Sequence, residues 1–86
     1  MDINQLSKIV KKKILKHKII QNIDIEDKSF LHKKHKNNDL GKFHLKLKIK
    51  SDILKVKNRI ESNKFIYKIL DQEMKNNIHS LQILFI

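Results

Sequence analysis

His32, His35 and His44 are three of the chain's five histidines, and all fall within one stretch, SFLHKKHKNNDLGKFH, at residues 29–44. Imidazole is the commonest metal-binding side chain near neutral pH. Lys33, Lys34, Lys36 and Lys42 sit among these histidines, and ammonium groups repel a bare cation. The stretch therefore admits three readings: a metal site, a nucleic-acid-binding loop, or a solvated loop. Zinc held by His32, His35 and His44 is the simplest form of the first. His79 opens the run IHSLQILFI, and its spacing alone reads as a partly buried structural histidine. His17 lies among lysines and reads as a surface residue. We find no nucleophile–base pair and no paired acidic site, so no enzymatic activity is expected.

Composition narrows the chemistry. The chain has no cysteine, which excludes disulfides and thiolate metal sites made by these residues alone. An iron–sulfur cluster would need its thiolates from elsewhere. The formal net charge of +11 favours polyanionic partners such as DNA or RNA. Arg59 is the one arginine among 20 basic residues, however, and nucleic-acid surfaces favour the planar guanidinium. With abundant Asn and Ile, no Pro and one Gly, much of the charge also fits a biased coding genome. No apolar run approaches the ~20 residues of a membrane span, and no membrane association is expected. The start, MDINQLSKIV, carries no recognisable signal or transit pattern, which predicts a cytoplasmic, or else nuclear, protein. Residues 1–86 are read as one small domain, monomeric when free.

These side chains must be positioned by a few short elements. Leu6, Ile9, Val10 and Ile14 give a helical apolar stripe over residues 4–16, with Asp2 or Asn4 as its cap. Residues 19–26 alternate, with Ile19, Ile23 and Ile25 on one face. Residues 27–42 show no apolar period and read as a long mobile loop, with Gly41 near its end. In FHLKLKIK, residues 43–50, Phe43, Leu45, Leu47 and Ile49 alternate with His44, Lys46, Lys48 and Lys50. Residues 52–61 suggest a short helix using Ile53, Leu54, Val56 and Ile60. A clearer helix spans 63–75 through Phe65, Ile66, Ile69, Leu70 and Met74, capped by Ser62 or Asn63 and ended by Asn76 and Asn77. The terminal run reads as a strand with His79, Leu81, Ile83 and Phe85 on one face. The fold class is α+β. The order αββααβ predicts a two-layer domain, with a three-stranded sheet covered by helices on one face.

The ordered set of these segments resembles the BolA family over about residues 6 to 84. Lys50-Ser51 matches the family's "VS". Phe65-Ile66-Tyr67 with Leu70 and Glu73 falls on its "R-x-V-Y-x-x-L-x-x-E" helix. IHSLQI, residues 78–83, is similar to "VHALxI", and residues 27–35, DKSFLHKKH, to "D-x-S-x-x-H-A-G-H". FHLKLKIKS, residues 43–51, resembles "SHFKVxVVS". The sequence departs from the family at Lys33-Lys34 for "AG", at Val56 for a glycine, and at Ser62-Asn63-Lys64 for "RHR". The family's tail beyond the last strand has no counterpart in these residues.

The resemblance implies a fold similar to type II KH domains. It also implies partnership with a monothiol glutaredoxin and glutathione in iron–sulfur cluster assembly, delivery or iron sensing. A [2Fe–2S] cluster would be shared with that partner and not held by this chain alone. Mapped by motif, the ligands from this chain are His79 and His32, with His35 and His44 as alternates. Lysines that repel a bare cation remain compatible with an anionic cluster brought by another protein. The alternative is a nucleic-acid-binding or transcriptional regulator using a basic KH-like surface. Its candidates are the stripe Lys46, Lys48 and Lys50, with Lys33, Lys34, Arg59 and Lys64. A KH clamp needs a G-x-x-G loop, and Gly41 is the only glycine.

Overall fold

The computed structural model describes residues 2–29 and 42–86. Most of the loop expected at 27–42, including His32, Lys33, Lys34 and His35, therefore lies outside the described residues. The first helix, α1, is Ile3–Leu15. Asp2 caps it: its carboxylate accepts from the Gln5 N–H at 2.8 Å, and the Gln5 side chain accepts from the Asp2 N–H at 3.0 Å. This reciprocal pair satisfies donors that a helix start leaves without partners. Leu6, Val10 and Ile14 are fully buried, as their spacing requires. The chain leaves α1 through two tight turns, His17 N–H to Ile14 O and Ile20 N–H to His17 O. These turns postpone the strand expected from residue 19, so β1 is Asn22–Asp27 and Ile20 is buried in place of Ile19.

β1 pairs antiparallel with β2, Phe43–Lys50, placing Ile23 opposite Ile49 and Ile25 opposite Leu47. β2 pairs parallel with β3, Ile78–Phe85, and the sheet order is β1-β2-β3. Parallel neighbours need a long crossover. Here it is made of α2 (Asp52–Val56), α3 (Arg59–Ile69) and α4 (Asp71–Asn76). Leu45, Leu47, Ile49, Ile23 and Ile83 on the inner sheet face pack with Leu6, Val10 and Ile14 of α1 and Ile66 of α3. Each such side chain contributes roughly 1.5–3 kcal/mol. The α+β architecture read from the sequence is the one observed.

The crossover differs from expectation in detail. Of Ile53, Leu54, Val56 and Ile60, only Leu54 is buried; Val56 is 84% and Ile60 64% exposed. The helix predicted over 63–75 begins earlier, at Arg59, because Asn58 and not Ser62 or Asn63 caps it, accepting from the Ile60 N–H at 2.8 Å. Ser62 is instead fully buried within α3, where its hydroxyl donates to the Leu54 carbonyl at 2.8 Å. The same helix is divided at Leu70, whose backbone sits at φ −99°, ψ 21°. Asn77 ends α4 with φ −130°, outside the left-handed region that its residue type suggested.

Candidate functional site

The site grows from an irregularity between β2 and β3. Phe43 is opposite Ile78, but the next residue, His44, is opposite Ser80. One extra residue, His79, is thus accommodated on β3, forming a bulge. Ile78 is buried, while His79 and Ser80 are both exposed. Inward alternation resumes only at Leu81 and Ile83. His79 therefore does not share the core face of Leu81, Ile83 and Phe85, as strict alternation predicted. It projects onto the outer sheet face.

There it meets His44, an outward-facing residue of β2. The two ring centres are 4.8 Å apart, with the planes inclined at 59°. His44 Nδ1 lies 2.6 Å from Ser80 Oγ. A neutral imidazole has one N–H and one lone pair. In the tautomer where Nδ1–H donates to Ser80, the His44 Nε2 keeps its lone pair. The His44 backbone is held on both sides: its N–H donates to Ser29 Oγ at 3.1 Å, and its carbonyl accepts from the Lys28 N–H at 2.7 Å. Ser29 is fixed in turn by its N–H donating to Asp27 Oδ1 at 2.9 Å.

Two imidazoles coordinating one tetrahedral metal, each through a nitrogen at ~2.1 Å, place their ring centres roughly 5 Å apart. The ring-centre distance of the His44–His79 pair is of that order. Among the described residues, no group of three or more His, Cys, Asp or Glu side chains forms a metal cage. What the described residues bring together here is a pair of imidazoles. Of the sequence-derived ligands, His79 and His44 are brought together, while His32 and His35 lie outside the described residues.

The lysine stripe has a counterpart that its own segment did not reveal. The register sets Lys48 opposite Asp24 and Lys46 opposite Glu26. Glu26 accepts from Lys28 Nζ at 2.9 Å and lies 3.5 Å from Lys48 Nζ. The hydrogen bond and charge of Lys28, aided by Lys48, hold the Glu26 carboxyl below its ordinary pKa. Part of the β2 charge is thus countered by β1. Arg59 and Lys64 are exposed on α3, with Arg59 beside Lys55 and Lys57 around a cleft at the far end of β3. His17, read as a surface residue, is half-buried and packs edge-on against Phe65 at 5.2 Å.

Fold and site together define a small α+β domain carrying paired imidazoles on the open face of its sheet. The chain belongs to the BolA-like protein family, whose family model matches residues 14–85. It is 32% identical over 66 residues to the SufE-like protein 1, chloroplastic/mitochondrial, of Arabidopsis thaliana, a match covering 71% of this chain and 18% of that protein. The chain thus spans about a fifth of that relative's length. Its structure is similar to the BolA domain of SufE1 from Arabidopsis thaliana, with TM-score 0.75, 26% identity, and coverage of 99% of this chain and 92% of the other. BolA1 from the same organism gives TM-score 0.73 and 25% identity, covering 98% and 92%. No helix among the described residues is long and apolar enough to cross a membrane.

Proposed function

We propose that this chain is the histidine-bearing partner of a monothiol glutaredoxin, and that the two proteins share a [2Fe–2S] cluster in iron–sulfur cluster assembly, delivery or iron sensing. The observation that carries this reading is the His44–His79 pair, with ring centres 4.8 Å apart on an open sheet face. Membership of the BolA-like family supports it. A chain without cysteine supplies at most the nitrogen half of such a ligand set. The glutaredoxin cysteine and glutathione would supply the thiolates. When bound, the cluster offers an iron that accepts imidazole in place of thiolate, which raises its potential and ties ligation to pH.

This chain's own residues orient the nitrogens. His79 is turned outward by the bulge. His44 Nδ1 lies 2.6 Å from Ser80 Oγ, and with Nδ1–H donating there Nε2 is the nitrogen that would ligate; such outer partners of ligating imidazoles fix tautomer and orientation.

The test is reconstitution with a monothiol glutaredoxin and glutathione. The expected product is a visible-absorbing heterocomplex with a spectrum distinct from that of the glutaredoxin homodimer. His79→Ala and His44→Ala are each expected to destroy that distinct spectrum. An unchanged spectrum and cluster lifetime with His79→Ala would refute the ligand assignment. If His44→Ala is silent while His32→Ala or His35→Ala bleaches the complex, the second ligand lies in the 29–44 stretch and His44 is only its neighbour.

A further inference from the structure

β3 is an edge strand: among the described residues, the sheet continues from it only to β2. The direction of its main-chain groups is fixed by two contacts. The Ile86 N–H donates to the Ile49 carbonyl of β2 at 2.9 Å, so the even-numbered residues before it turn their groups toward β2. The Leu81 carbonyl accepts from the Tyr67 hydroxyl at 3.1 Å on the other side. By the same period, the N–H and C=O groups of Ile83 and Phe85 point away from the sheet. They open toward a cleft of about 230 Å³ lined by Leu54, Lys55, Lys57, Arg59 and residues 83–85. Among the described residues, three exposed cations and no Asp or Glu side chain line it. Leu84, on the outer face, is 42% exposed beside it.

We propose that the β3 edge at Ile83–Phe85, with Lys55, Lys57 and Arg59, docks an extended acidic segment of a partner protein as a fourth strand. Main-chain groups repeating every second residue match another polypeptide backbone, and strand addition at such edges is a general recognition mode. The cations select acidic side chains, and apolar residues alternating with them would meet the Leu84 side of the sheet. A nucleic acid can use the charge but cannot complete the ladder. A second copy pairing β3 to β3 would bring two sets of Lys55, Lys57 and Arg59 together, which like-charge repulsion opposes. The surface lies at the opposite end of β3 from His79, so it does not depend on the cluster-sharing reading.

The probe is a fluorescent, end-capped peptide of alternating Glu and Val, titrated onto the intact chain at low salt. Binding is expected to slow amide exchange at Ile83 and Phe85. The combined Lys55→Glu, Lys57→Glu and Arg59→Glu variant, all at exposed positions, is expected to bind about tenfold more weakly, from three surface charge contacts. A fully N-methylated peptide keeps every carboxylate but no main-chain donor, and should also lose at least about tenfold in affinity. Equal binding of the methylated peptide would overturn the proposal. So would protection that maps to β1, displacement of the peptide by an oligothymidylate of equal charge, self-association of the free chain through this edge, or no binding at low salt.

Discussion

Ser62→Ala is expected to unfasten the corner between α2 and α3. α2 has five residues, too few to be stable by itself. Both backbone polar groups of Leu54 are held by buried serines. The Leu54 N–H donates to Ser51 Oγ at 3.2 Å, and the Leu54 carbonyl accepts from Ser62 Oγ at 2.8 Å. Both serines are fully buried. Removing the Ser62 hydroxyl deletes one atom and leaves a buried carbonyl without its donor, which costs about 1–3 kcal/mol. For a domain of this size, a loss of about 1.5 kcal/mol lowers the melting temperature by roughly 6–12 °C. The urea midpoint should fall with an unchanged slope, since the surface exposed on unfolding is the same. Ser51→Ala removes a cap worth ~1 kcal/mol. Because the two serines hold the backbone on either side of one residue, the double variant should depart from additivity by more than about 0.5 kcal/mol. A Ser62→Ala loss below about 0.3 kcal/mol, or strict additivity, would show that packing of Leu54 alone holds α2.

Lys13 Nζ bonds Glu73 Oε2 at 2.7 Å, with the Glu73 side chain only 9% exposed against 35% for Lys13. Lys13→Met should therefore destabilise by about 1–2 kcal/mol in chemical denaturation, by stranding a nearly buried carboxylate. The neighbouring Lys12→Met, at an exposed position, should change stability little. Glu26 differs because its carboxyl is held below its ordinary pKa by Lys28 and Lys48. A lowered folded-state pKa stabilises above the unfolded value, and that contribution is lost as pH falls through the folded value. The gap in urea midpoint between the wild type and Glu26→Gln should thus be present at pH 7 and shrink as pH falls below the ordinary glutamate range; a gap that widens on acidification would contradict this assignment.

What the sequence made legible was local and periodic. Leu6, Val10 and Ile14 declare their helix, and the alternation of FHLKLKIK declares β2. The division at Leu70 left no mark, because Ile66, Leu70 and Met74 keep helical spacing across it. Asn58 as the cap of α3 was hidden by Ser62 and Asn63, equally good cap residues whose true place is set by burial. The bulge did leave a signal. Inward apolar residues at 78, 81 and 83 are separated first by three positions and then by two, and one extra residue resolves that break. Its consequence, that His79 leaves the core face and meets His44, depends on the pairing of β2 with β3. These strands are joined by three helices, and no local pattern encodes their register.

Charge followed the same logic, and it bears on which partner the surface suits. Read along β2, Lys46 and Lys48 form a cationic stripe that invites phosphate. In the sheet, Asp24 and Glu26 stand opposite Lys48 and Lys46, so the outer face presents alternating signs. Phosphate backbones reward uniform positive charge, through counterion release that scales with the number of neutralised phosphates. A mixed face rewards a partner with its own charge pattern, which is how proteins fix register on one another. The net charge of +11 still steers any anionic molecule toward the chain. Steering sets how often partners meet. The two proposed surfaces would act at short range, two imidazoles at one end of β3 and an open strand edge with three cations at the other.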